Sequence, residues 1–224
     1  MDRKGLIIGA TGLVGGLIVR ELLENPAYAE VKVLTRKPLG IQHPKLTEHI
    51  ISWDELEQSA HVFEGVHDLY CALGTTIKKA GSQERFRLVD LEYPLQAAKL
   101  ARQAGIVQML AVSSAGANPH SRIFYSRTKG EAEEALAEVG LPALHLFRPS
   151  LILGERSERR AGERVAAVLM KLTSPLWNGR LSAYRAIPAA AIAKAMVRIA
   201  LAGARGVHVY PNEVIHALGS DPTH

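Results

Sequence analysis

Along the first two thirds of the chain, short apolar runs alternate with longer segments whose apolar positions recur at helical spacing. GLIIG (5–9), VKVLT (31–35), HIIS (49–52), HDLYCAL (67–73), IVQMLAVSS (106–114) and ALHLFRPS (143–150) read as strands. Between them, LVGGLIVRELLEN (13–25) reads as a helix that stops before Pro26, and FYSRTKGEAEEALAEVG (124–140) as an amphipathic helix closed by Gly140. QERFRLVDLEYPLQAAKLARQAG (83–105) is a long helical region ending at Gly105, and Pro94 inside it predicts a kink or two abutting helices. After Ser150 the rhythm is less regular. Helices are predicted over 161–172 and 189–203, a late strand over 206–210, a short helix through Leu218, and a fraying end at GSDPTH. Strands alternating with helices predict an α/β fold, a doubly wound parallel sheet with helices on both faces. The whole of 1–224 reads as a single domain, with 151–203 as a small lobe within it.

The first strand and helix are joined by glycines spaced Gly9-x-x-Gly12-x-x-Gly15. Glycine costs about 0.5–1 kcal/mol relative to alanine inside regular structure, so the repetition asks for a use. In a nucleotide-binding βαβ unit, the first glycine lets the chain turn off the strand. The second clears the approach of a pyrophosphate, and the third lets the helix lie close on the sheet. The helix N-terminus then offers free N–H groups and a positive dipole end to the phosphates. The second strand ends VLTRKP, with Arg36 and Lys37 where a site for NAD would carry an acid for the ribose 2′-hydroxyl. A guanidinium grips a 2′-phosphate, so NADP(H) is favoured, with NAD(H) as the second option. Asp54 could contact the adenine amine or cap the helix that follows the third strand.

Tyr125 and Lys129 stand four apart and share one face of a helix. The ammonium would favour the Tyr125 phenolate, and the pair could exchange a proton with a carbonyl oxygen as hydride moves to or from a nicotinamide. Ser113 and Ser114 end the fifth strand, where ligands of such sheets gather. Alternation turns the two serines to opposite faces. Ser114 is favoured to bond the substrate carbonyl, with Ser113 second.

Charge and composition add bounds. The formal charge of +5 is mildly basic, and the one dense cluster, ERSERRAGER (155–164), mixes both signs without aromatics, so no nucleic acid is expected. No run approaches the roughly 20 apolar residues of a membrane span, and the N-terminus does not read as a signal peptide. The lone cysteine, Cys71, excludes an internal disulfide and fits a reduced, cytoplasmic setting as a buried thiol. The nine histidines lack ligand spacing, so no metal is expected. Arg148 is expected to pack at the strand end. Arg156, Arg159, Arg160 and Arg164 could cover a site entrance, and Trp177 and Tyr184 could line a pocket or form a core.

GATGLVG, VSSAGA, the Tyr125/Lys129 pair and FRPSLILG together resemble the short-chain dehydrogenase/reductase superfamily, in its atypical and extended branches. CALGTTIKKAGSQERFRLVD (71–90), YSRTKGE (125–131) and LFRPSLILGER (146–156) are similar to the Tat-interacting-protein-like oxidoreductases. The resemblance implies a Rossmann-like NAD(P)-binding domain, with the lobe over 151–203 taking the substrate. It places Gly9, Thr11, Gly12, Leu13, Val14 and Gly15 at the pyrophosphate, and Arg36 at the adenosine phosphate. Ala72, Leu73, Gly74 and Thr75 would flank the cofactor, and Pro149, Ser150 and Leu151 would lie beside the nicotinamide. Ser114, Tyr125 and Lys129 take the catalytic places. The expected activity is NADP(H)-dependent oxidoreduction of a small carbonyl or alcohol. The alternative is a non-catalytic NADPH-binding redox sensor acting through a protein partner. Helices 83–105 and 124–140 could form a homodimer face.

Overall fold

The fold was read from a computed structural model, which describes residues 2–154 and 185–220. Strands β1 (Arg3–Ile8), β2 (Tyr28–Thr35), β3 (Leu46–Ile50), β4 (Asp68–Cys71), β5 (Gln108–Val112), β6 (Ala143–Arg148) and β9 (Gly206–Pro211) form one parallel sheet, in the order β3-β2-β1-β4-β5-β6-β9. A two-stranded parallel ribbon, β7 (Ile152–Leu153) with β8 (Ile187–Pro188), stands beside it. The strand order reverses between β1 and β4, and such a reversal opens a crevice at the carboxyl ends of the strands.

Both faces of the sheet are buried, which is why its strands read as near-continuous apolar runs. Along β1, Leu6 and Ile8 join one core while Ile7 joins the other. The first core packs under a 3₁₀ segment (Trp53–Phe63), α4 (Tyr93–Gln103) and α5 (Phe124–Glu138). The second packs under α1 (Leu13–Glu24), α6 (Ala189–Ala202) and α7 (Asn212–Gly219). Helix α6 lies in the stretch expected as a lobe, yet Ile192, Ala193, Ala195 and Met196 are buried against the sheet. The helix expected over 161–172, the four arginines of 156–164, Trp177 and Tyr184 lie outside the described residues.

The long helical region resolves into three pieces. They are α3 (Gln83–Arg87), a π-helical turn (Leu88–Glu92) and α4, which runs on from Tyr93; a short α2 (Ile77–Ala80) precedes them. Pro94 is the cause. It has no N–H for the carbonyl four residues back, that of Asp90, and its ring crowds that carbonyl, so the helix widens by one residue. The Tyr93 N–H accordingly reaches back five residues to the Leu88 carbonyl. Elsewhere the expected elements stand with shifted ends: β2 begins at Tyr28, and β3 spans Leu46–Ile50 rather than 49–52.

Candidate active site

The turn after β1 is built for close backbone approach. Gly9 sits at φ +85°, and a Cβ there would stand 2.5 Å from the Ala72 backbone where β4 exits. A Cβ at Gly15 would lie 2.2 Å from the Gly9 oxygen, so this glycine lets α1 pack against the turn. Gly12 differs: its nearest neighbour would be the Gly9 oxygen at 3.2 Å, and it is exposed at the N-cap of α1. No side chain caps α1 and no acid stands in its first turn. Its leading N–H groups are therefore left for an external acceptor, and the turn fits a pyrophosphate. Thr11 is exposed beside it, whereas Val14 points into the core and offers only its backbone. The Leu13 side chain lies where a Cβ on Gly154 would meet it at 2.8 Å, so the exit of β7 abuts the turn.

At the end of β2, buried Thr35 makes a local clasp. Its Oγ1 donates to the Lys37 carbonyl at 2.8 Å and accepts the Lys37 N–H at 3.3 Å, leaving Arg36 and Lys37 exposed. The neighbouring wall is aromatic and acidic. Trp53 stacks on Tyr93 with ring centres 5.5 Å apart, and the Tyr93 hydroxyl donates to Asp54 Oδ1 at 2.8 Å. Burial, then the bond to Asp54, pushes the Tyr93 hydroxyl up to about 12, against the fields of Arg85 and Arg36. Asp54 is not the helix cap: Ser52 holds the N-cap position of the 3₁₀ segment, and Asp54 is bound by Tyr93 of the helical region packed beside it.

Beneath the crevice, Lys129 is almost wholly enclosed and lies 2.7 Å from Asp90 Oδ1. Asp90, 3 % exposed, sits on the π-helical turn, and its other oxygen accepts the Thr75 N–H at 2.9 Å. Burial works against the Lys129 ammonium, but the fields of Asp90 and Tyr125 outweigh it, and its pKa stands above the ordinary lysine value. A Cβ on Gly74 would stand 3.4 Å from Asp90 Oδ1 and 3.9 Å from Lys129 Nζ. The loop 72–75 after the central strand thus runs directly over the ion pair. Tyr125, one turn before Lys129, is half-buried with its ring 5.5 Å from that of Phe86. One turn after Lys129, buried Glu133 accepts from Arg148 Nε at 3.0 Å and from Nη2 at 2.5 Å, tying α5 to β6.

The two serines separate as alternation requires. Ser113 continues the face of Met109 and Ala111, and it lines a cavity of about 20 Å³ with Cys71, Asp90, Lys129 and Glu133. Its Oγ is buried with no hydrogen-bond partner among the described residues. Ser114 continues the opposite face, that of Leu110 and Val112. The structure therefore brings Ser113, rather than the favoured Ser114, beside Lys129. Burial pushes the Cys71 thiol up to about 11, which leaves it protonated at neutral pH. Among the described residues, no group of three or more His, Cys, Asp or Glu is placed to hold a metal ion, and no helix is long and apolar enough to cross a membrane.

The sixth-strand end is fixed from below. The Pro149 carbonyl accepts the Ala115 N–H at 2.9 Å, and the Leu151 carbonyl accepts the Ile187 N–H at 2.9 Å. Leu151 is exposed. Ser150 donates its N–H to Asn212 Oδ1 at 2.9 Å and its hydroxyl to the Arg185 carbonyl. Asn212 Nδ2 donates to that same carbonyl at 2.8 Å. Sequence reasoning missed Asp90, Glu133 and Asn212. Only Pro94, four residues past Asp90, carried a usable signal.

Comparisons with known proteins show the family and the fold. A family model described as NAD(P)H-binding matches residues 9–202. Protein HTATIP2 of Rattus norvegicus is 31% identical over 98% of this chain and 90% of its own length. "Protein FMP52, mitochondrial" of Candida albicans is 34% identical over 89% of each chain. MoeE5, solved in complex with UDP-glucuronic acid and NAD, superposes with a TM-score of 0.73 at 16% identity, covering 92% of this chain and 75% of its own. A UDP-N-acetylglucosamine 4-epimerase from Methanobrevibacter ruminantium superposes with a TM-score of 0.71 at 16% identity, covering 94% and 76%. With its reversed seven-stranded sheet, its glycine turn and these matches, the chain belongs to the NAD(P)H-binding family, alongside HTATIP2.

Proposed function

We propose that the protein is an NADP(H)-dependent oxidoreductase that interconverts a small carbonyl compound and its alcohol. The observation that carries this reading is the position of Lys129. Its charged head is buried at the end of the central strand, beneath the loop that would flank a dinucleotide and one helical turn from Tyr125. A surface lysine would have no need of that burial.

In this reading the first-turn amides of α1 and the exposed Gly12 receive the pyrophosphate. Arg36 holds the 2′-phosphate, with Lys37 beside it, and this sets the preference for NADP(H) over NAD(H). When bound, the nicotinamide supplies or accepts the hydride. Tyr125 gives its proton to the carbonyl oxygen in reduction and takes it back in oxidation. Lys129 stabilises the Tyr125 phenolate left behind and offers N–H donors to the nicotinamide ribose. Ser113 orients the carbonyl oxygen.

Calorimetric titration of cofactor-free protein with NADPH and NADH tests the cofactor reading. NADPH should bind more tightly, and Arg36→Ala should lose at least tenfold in NADPH affinity, about 1.4 kcal/mol, with NADH little changed. Equal losses for both nucleotides would remove Arg36 from the 2′-phosphate. Tyr125→Phe, screened over a panel of carbonyl compounds, should bind NADPH normally and lose turnover by at least 10²-fold. A wild-type protein that binds NADPH tightly yet turns over none of the panel would favour the redox sensor instead.

A further inference from the structure

We propose that Phe86 is a positioning residue for Tyr125: its ring, carried by α3, lies against Phe124 and Tyr125 at the start of α5 and fixes the direction of the tyrosine side chain. The catalytic meaning rests on the proposed function, whereas the contact itself is testable without any cofactor. Phe86 is fully buried. Its ring centre lies 5.6 Å from that of Phe124 with the planes at 61°, and 5.5 Å from that of Tyr125 with the planes at 51°. Both pairs fall in the range of about 4.5–7 Å and in the inclined geometry that aromatic rings favour. Consecutive residues of a helix point about 100° apart. One ring can touch two of them only by lying in the angle between. Phe86 therefore closes that angle and keeps the Tyr125 ring from swinging toward Phe124.

Helix α5 does little by itself to hold that ring. Tyr125 is the second residue of the helix, and the N-cap, Ile123, lends no side-chain bond. An uncapped first turn frays more readily than the helix body. Thr128, Lys129 and Gly130, one turn further, are buried. The packed body of α5 thus sets Lys129, and what leans on the start of the helix sets Tyr125. Helix α3 is anchored to do so. The Ser82 hydroxyl accepts the Arg85 N–H at 3.2 Å at its head, and Arg87 pairs with Glu131 of α5 at its foot. That ion pair is partly exposed, and such pairs hold weakly, so the enclosed ring is the principal contact. Arg127 lies 5.9 Å from the Phe124 ring centre and 3.9 Å from Glu131, which ties the same turn together from outside. Proton transfer requires the Tyr125 hydroxyl within hydrogen-bond reach of the carbonyl oxygen, and a displacement of about 1 Å can cost about 10²-fold in rate. Phe86, being enclosed, presents no surface to the dinucleotide.

The test compares Phe86→Leu with wild type. Leucine keeps most of the buried volume and removes the ring. Turnover of a panel compound that the wild type reduces should fall by about 10- to 10²-fold, with NADPH affinity within about twofold of wild type. In a Tyr125→Phe background the same substitution should cost nothing further, because the ring it directs no longer carries a proton. Equal costs in the two backgrounds would overturn the proposal, as would equal losses of turnover and NADPH affinity.

Fluorine NMR of cofactor-free protein labelled with fluorotyrosine supplies the second readout, the Tyr125 line being assigned by its loss in Tyr125→Phe. In Phe86→Leu the line should move as the neighbouring ring current is lost. Its shift between light and heavy water should grow toward that of free fluorotyrosine. A line unchanged in both respects would overturn the proposal. Phe86→Met is the second variant, and failure of both variants to fold would make Phe86 a core residue only. If wild type binds no NADPH or turns over no compound, the proposed function fails, and the fluorine line still decides whether Phe86 sets Tyr125.

Discussion

Gly12 and Gly15 are three residues apart in one turn and are glycines for different reasons. At Gly15 an added methyl would overlap the Gly9 carbonyl at 2.2 Å, a backbone atom that cannot rotate away. Gly15→Ala should therefore lower unfolding free energy by about 3 kcal/mol, the upper end of overpacking costs, in urea titration. At Gly12 the same methyl meets only one oxygen at 3.2 Å, with φ at −81°. Gly12→Ala should cost about 1 kcal/mol of stability while weakening NADPH affinity at least tenfold. The motif is legible in sequence because strand, turn and helix surround it in the right order. The spacing also assigns Gly12 to the ligand and Gly15 to packing, but not how tightly each is held, because that depends on how close β4 and the first turn of α1 come.

Between elements, the informative contacts are charged pairs that join a helix to the sheet beneath it. Arg148 at the end of β6 binds Glu133 of α5 with two nitrogens, and this fixes the helix that carries Tyr125 and Lys129. Glu133→Gln should cost about 1.5–3 kcal/mol in chemical denaturation, since charge-assisted bonds to a mostly buried carboxylate are lost. The sequence did place Tyr125 and Lys129 on one helical face and Arg148 at a strand end. It could not pair Arg148 with Glu133 or Lys129 with Asp90, because each pair closes only when α5 is laid on the sheet. The strand-end serines show the same boundary. Alternation separated Ser113 from Ser114, but only the packed position of α5 tells which of the two faces Lys129.

Across the whole molecule, the two ends of the sheet do different work. At the amino ends, Tyr28 donates to Asp68 Oδ2 at 2.5 Å and lies 2.7 Å from the Tyr70 hydroxyl. Gln108 donates to Asp68 Oδ1 at 2.6 Å and to the Ala200 carbonyl at 2.9 Å, so β2, β4, β5 and α6 share one buried network. The carboxyl ends carry the glycine turn, the ion pair and the serines. Between β6 and the edge strand β9, His145 is fully buried, 3.0 Å from the Tyr210 hydroxyl and stacked on His208. Burial, then the neighbouring His208, pushes His145 down to about 4. An unfolded histidine titrates near 6.5, so this stability is complete above about pH 6.5 and is lost as pH falls toward 4, by up to about 3 kcal/mol. The stability difference between wild type and His145→Phe should shift in favour of the variant over that window, and parallel profiles would show that His145 does not control it.

The Asn212 side chain has a consequence for how this fold can diversify. Ser150 and Arg185 are far apart in sequence, yet one amide on α7 touches both, and β7 pairs with β8 just beyond them. The clasp fixes Ser150 and Arg185 relative to α7 through bonds that use no residue between them in sequence. Substitutions in the intervening sequence leave the groups that make it chemically unaltered. For engineering, Ser150 and Arg185 mark the two positions between which sequence can be exchanged with the clasp kept.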